Sequence, residues 1–141
     1  MARLADVGNI AGIKESTSNL WQIAEIIRLC GDKLSVFAGN FDIFLHTMIL
    51  GGKGCITGFA NCVPELHVRL FECLTKGDTN KSIELYQKVL PFWRIGPNAV
   101  NVKAALNMLG HPVGMPRRPL LPATDEEEAR IRNGLRLLGY L

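Results

Sequence analysis

Short apolar runs alternate with helical repeats through the first two-thirds of the chain. Ile10 to Ile13 reads as a strand. Ser16-Thr17-Ser18 offers a helix N-cap, and Leu20, Ile23, Ala24 and Ile27 recur at helical spacing up to Gly31. Leu34 to Ala38 predicts a second strand, stopped by Gly39-Asn40. Phe41 to Leu50 predicts a buried helix with Asp42 in its first turn. Gly54 to Thr57 predicts a third strand. Pro64 opens a helix with Leu66, Leu70, Phe71 and Leu74 on one face. This βαβαβα order is the pattern that builds parallel sheets.

The last third is helical throughout. Asp78 caps a helix whose predicted apolar face is Ile83, Tyr86, Val89, Leu90 and Trp93. Pro97-Asn98 starts another, closed by Gly110. A proline-rich connector from Pro112 to Pro122 leads to a final helix, where Thr124 with Glu127 forms a capping box.

Composition removes several classes of function. The net charge is +3 over 141 residues, with basic residues spread along the chain, so no electrostatic footprint for nucleic acid is expected. No apolar run has the length of a membrane span, and Asp6 and Asn9 interrupt any signal-like N-terminus. A cytoplasmic protein with no membrane association is the expectation. Cys30, Cys55, Cys62 and Cys73 form no CxxC pair and read as reduced core residues. No metal motif and no cofactor are expected.

Chemistry is expected where the strands end, because parallel sheets build their sites at that rim. Lys14, Gly39-Asn40 and Ile56-Thr57-Gly58 are the three points. Alternation puts Ile10, Gly12 and Lys14 on one face of the first strand, and Gly12 leaves room for a small ligand. A desolvated lysine there can lose its proton, attack a ketone and form an imine. The same residues have plainer readings. Lys14-Glu15 can be a strand end meeting solvent, Gly39 and Gly58 can be turns, and Asn61 can be a helix cap. Gly51-Gly52-Lys53-Gly54 lacks the spacing of a phosphate loop.

Gly12-Ile13-Lys14-Glu15-Ser16, Phe37-Ala38-Gly39-Asn40 and Gly51-Gly52-Lys53-Gly54-Cys55-Ile56-Thr57-Gly58-Phe59-Ala60-Asn61 occur in that order. Pro97-Asn98-Ala99-Val100-Asn101-Val102-Lys103-Ala104-Ala105-Leu106 and Arg117-Arg118-Pro119-Leu120-Leu121-Pro122 follow. The whole resembles the C-terminal half of the dihydrodipicolinate synthase / N-acetylneuraminate lyase family. The resemblance implies an α/β fold, with the last three strand-helix units of a (β/α)8 TIM barrel at 1–77, followed by a C-terminal helical domain at 78–141. It implies a class I aldolase or lyase acting on pyruvate, or a related 2-oxo acid, together with an aldehyde. A 4-hydroxy-tetrahydrodipicolinate synthase-like reaction leads. A 2-keto-3-deoxy sugar-acid aldolase or N-acetylneuraminate lyase is the alternative, and a non-catalytic remnant binding full-length relatives is the alternative of another class. Lys14 matches the Schiff-base lysine. Ile56 matches the residue whose backbone lines the pyruvate site, and Gly39 matches a position near the substrate. Homo-oligomers, tetramers in the family, are implied for a full-length chain. The threonine pair that holds the substrate carboxylate and the tyrosine that relays protons are absent, since Tyr86 and Tyr140 do not match it. The chain is expected to be a fragment, a split gene product or one begun at a misplaced Met1, and inactive alone.

Overall fold

The predicted order of elements is the observed one, with shifted boundaries. A computed structural model describes residues 1–141. Three strands, β1 (Gly12–Glu15), β2 (Ser35–Ala38) and β3 (Gly54–Cys55), form one parallel sheet in that order. Six helices accompany them: α1 (Leu20–Cys30), α2 (Phe44–Ile49), α3 (Pro64–Thr75), α4 (Thr79–Trp93), α5 (Ala99–Met108) and α6 (Asp125–Leu138). Backbone contacts divide the chain into two compact units. One is Met1–Thr57 with Leu70–Ile83, and the other is Gly58–Arg69 with Glu84–Leu141.

In the first unit β1 begins two residues later than predicted. Ile10 is held in the preceding turns, where its N–H donates to Val7 O at 3.0 Å. The strand gains Lys14 and Glu15 because β2 pairs with both, Lys14 opposite Phe37 and Glu15 opposite Ala38. Lys14 thus lies within the strand. The helix cap also moves. Asn19, not Ser16 to Ser18, accepts from the Gln22 N–H at 3.3 Å. The predicted helix from Phe41 divides into a 3₁₀ turn, Phe41–Ile43, and α2.

Pairing fixes two faces. Ile13, Glu15, Val36, Ala38 and Cys55 share one, and Gly12, Lys14, Ser35, Phe37 and Gly54 share the other. α2 packs on β2 and β3 and touches α1, and Val36 and Ala38 are buried along with Ile23, Phe41 and Phe44. Each such apolar side chain, fully buried, contributes roughly 1.5–3 kcal/mol. The opposite face lacks such a cover. Gly12 and Lys14 are exposed, and Ser35 and Phe37 are half-buried.

In the second unit Phe59 and Phe92 stack with ring centroids 4.4 Å apart. Phe92 lies on the buried side of α4. Its apolar residues span a wide arc, and the line that is buried runs through Ser82, Leu85, Val89 and Phe92. Of the predicted face Val89 is fully buried, Tyr86, Leu90 and Trp93 are half-buried, and Ile83 is exposed. Gly134 lets α6 come close to Phe92, since a Cβ there would stand 2.6 Å from Phe92 Cδ2. The capping box of α6 forms as predicted. Thr124 Oγ1 accepts from the Glu127 N–H at 3.3 Å, and the Thr124 N–H donates to Glu127 Oε2 at 2.8 Å. The Thr124 N–H, and then its hydroxyl donating to Glu127 Oε2 at 3.1 Å, hold the Glu127 carboxyl below its ordinary range. Asp78 likewise caps α4, accepting from the Lys81 N–H at 3.1 Å.

Candidate active site

Lys14, Gly39 and Ile56 lie at the carboxyl end of the sheet, and backbone hydrogen bonds tie their strands there. The Gly39 N–H donates to Glu15 O at 2.6 Å, and the Ile56 N–H donates to Ala38 O at 2.8 Å. Lys14 and its cross-strand partners Phe37 and Gly54 form one layer on the open face. Ile56, two residues past Gly54, is 51% exposed. Phe37 fills the space over Gly54, where a Cβ would meet its ring at 3.2 Å.

Gly39 has a structural reason to be glycine. A Cβ there would overlap Ser16 Oγ and stand 2.8 Å from Glu15 O and 2.9 Å from Ser16 Cα. Real Cβ atoms do not come that close to backbone, so the narrow approach of the β2 end to the β1 end excludes a side chain. Asn40 reinforces the approach by donating from Nδ2 to Ser16 O at 2.8 Å.

Glu15 points to the face opposite Lys14. Its carboxylate accepts from the Thr17 N–H at 2.8 Å and from Gln22 Nε2 at 3.1 Å. Cys55 neighbours this cluster, its Sγ 3.8 Å from Asn40 O. Burial pushes the Cys55 thiol up to about 12, the nearby Lys14 charge pulls it down by less, and Asp42 adds a smaller upward push. Such a thiol stays protonated and unreactive near neutrality. All four cysteines are free, and no group of three or more His, Cys, Asp or Glu side chains is placed to hold a metal ion. Asn61 closes a local turn, donating to Gly58 O at 2.8 Å. No helix is long and apolar enough to cross a membrane.

Reading the sequence missed Phe37, although alternation along the second strand places Ser35 and Phe37 on one face. It also missed the bridging by Glu15 and Asn40. No sequence signal gives the Asn40 bridge, because it depends on how far β2 extends beside β1, whereas the Glu15 bonds are local.

Comparison with known proteins gives a consistent picture. The sequence profile of the Dihydrodipicolinate synthetase family matches residues 1–137. A 4-hydroxy-tetrahydrodipicolinate synthase of Methanococcus vannielii is 37% identical over 139 residues, 96% of this chain and 47% of that protein. The crystal structure of dihydrodipicolinate synthase from Thermotoga maritima covers 99% of this chain and 50% of its own, with a TM-score of 0.95 at 33% identity. The chloride-inhibited dihydrodipicolinate synthase from Acinetobacter baumannii, complexed with pyruvate, covers 99% of this chain and 49% of its own, with a TM-score of 0.93 at 27% identity. The chain spans about half the length of the curated relatives it matches. A profile match over nearly every residue, with the strand order and rim described above, places this chain in the dihydrodipicolinate synthetase family.

Proposed function

We propose that this chain carries the imine-forming part of a class I aldolase or synthase that acts on pyruvate and an aldehyde. The observation that carries the reading is the position of Lys14. Its side chain leaves the open face at the carboxyl end of a parallel sheet, in a family with a member complexed with pyruvate. The Lys14 nitrogen attacks the pyruvate carbonyl carbon to give a carbinolamine. Loss of water leaves a protonated imine. A proton then leaves the methyl carbon, and the electron pair released forms an enamine that attacks the aldehyde carbon. Hydrolysis of the product imine restores the amine. The backbone at Ile56 and the Gly39 turn are proposed to line the pyruvate.

On this reading residues 1–77 are the last three strand-helix units of a (β/α)8 barrel, and 78–141 are a helical domain. The protein is cytoplasmic and oligomeric when full-length. Strands from the rest of the barrel cover the open face and the free edges of β1 and β3. Turnover by residues 1–141 alone is not expected. The threonine pair and the relay tyrosine that the family resemblance implies are absent. The Tyr140 hydroxyl is already engaged, donating to Glu65 Oε2 at 3.1 Å, and burial with that bond raises it to about 12.

The test is borohydride reduction in the presence of pyruvate, followed by intact mass and peptide mapping. The expected result is one reduced-pyruvate adduct on Lys14 that is absent without pyruvate and absent from Lys14→Ala. Folded protein without an adduct overturns the reading. It would favour a second one that the two open sheet edges support: a non-catalytic module that associates with full-length relatives.

A further inference from the structure

We propose that Glu15 is the positioning residue for the Lys14 amine, acting from the opposite face of β1 without touching substrate. This rests on the imine chemistry proposed above. No hydrogen bond or ion pair holds the Lys14 ammonium. Its direction is therefore set by the backbone from which it hangs, at the end of a strand paired on one side only.

Glu15 fixes that backbone at three points. Oε1 accepts from the Thr17 N–H at 2.8 Å, which curls the chain immediately after the strand. Oε2 accepts from Gln22 Nε2 at 3.1 Å, which ties the strand end to the first turn of α1. The main-chain oxygen accepts from the Gly39 N–H at 2.6 Å, which ties it to β2. Asn40 adds a fourth tie one residue on, through Ser16 O at 2.8 Å. The first two depend on the carboxylate alone. Both are directional, and both tie the strand end to the segment that follows it. Without them, β1 would keep its pairing to β2 and lose its anchor to α1. The Lys14 side chain would then sweep a wider volume, and fewer collisions with a carbonyl would be productive.

Glutamine is the discriminating replacement. It keeps an acceptor for the Thr17 N–H, and the Gln22 amide can turn to meet its other end. The experiment measures the rate of borohydride-trapped pyruvate adduct on Lys14 over a range of pyruvate concentrations, in wild type, E15A, E15Q and N40A, with a thermal melt of each. The expected result is a drop on the order of tenfold in the maximal trapping rate of E15A. E15Q restores most of that rate, and N40A falls between. A folded E15A that melts lower but traps at the wild-type rate overturns the positioning role and leaves the proposed function intact. An E15Q as slow as E15A also overturns it. A wild-type chain that forms no adduct overturns the function and the role together.

Discussion

Replacing Gly39 with alanine adds one methyl group where the ends of β1 and β2 nearly touch. That methyl would overlap Ser16 Oγ, a side-chain atom that can rotate away. It would also stand 2.8 Å from Glu15 O and 2.9 Å from Ser16 Cα, and both are backbone. The strand ends must therefore part by several tenths of an ångström. The Gly39 N–H to Glu15 O bond of 2.6 Å is the one that lengthens. Overpacking of this kind costs about 1–3 kcal/mol, and weakening the hydrogen bond adds about 1 kcal/mol. The sum, about 2–4 kcal/mol, corresponds to a fall in melting temperature on the order of 10 °C for a chain of this size. Far-ultraviolet circular dichroism through a thermal ramp reads the change. A Ser16→Gly background separates the two parts of the clash. It removes the overlap with Oγ and leaves both backbone contacts, so Gly39→Ala should remain destabilising there by at least about 1 kcal/mol. A Gly39→Ala protein that melts within about 1 °C of wild type would show that the two strand ends are not held as close as described.

Two further outcomes follow from burial in each unit. The Cys55 and Cys62 thiols are pushed by burial from an ordinary 9.0 to about 12 and about 11, so the unfolded chain loses those protons first as pH rises. Stability should be unaffected by these groups below pH 9.0 and fall from there toward about 11–12, and Cys55→Ala should flatten the fall in alkaline melts; an unchanged slope would argue against the burial of that thiol. Gly134→Ala sets helix propensity, a gain of about 1 kcal/mol, against overlap with Phe92 at 2.6 Å and Ile95 at 3.0 Å, a loss of about 1–3 kcal/mol. Phe92 packs against Phe59 with ring centroids 4.4 Å apart, so its retreat would disturb that contact; the variant should melt below wild type, and a variant that melts higher would refute that packing.

Element order was legible in the sequence because periodicity reports which side of an element is buried. The ends of elements were less so. β1 runs to Glu15 instead of Ile13 because a strand lasts as long as its neighbour supplies partners, and Phe37 and Ala38 are distant in sequence. The cap of α1 lies at Asn19, with the Thr17 N–H taken by Glu15; both bonds are local, and the Ser16 to Ser18 run offered competing caps. On α4 the apolar spacing placed Val89 correctly, but polar Ser82 is buried and Ile83 is exposed, which apolar spacing alone does not give. By contrast, the Thr124–Glu127 box and the Asp78 cap are local, and local chemistry predicted both. At the candidate site the alternation of Gly12 and Lys14 was readable. The crowding that demands Gly39 was not, since it arises only when Ser16 lies across from it.

β1 hydrogen-bonds on one side only, and parallel pairing sorts its residues accordingly. Ala11 and Glu15 turn their main-chain oxygens toward β2, accepting from Ser35 and Gly39. The intervening residues, Gly12 and Lys14, therefore direct their amide and carbonyl groups outward along the bare edge. One residue thus serves two kinds of recognition at once. On the function proposed above, its amine would meet a small carbonyl compound, while its peptide groups face the bare edge, where another strand can pair. Any chain segment that zips onto this edge would lie beside the Lys14 amine as well as pairing with its backbone.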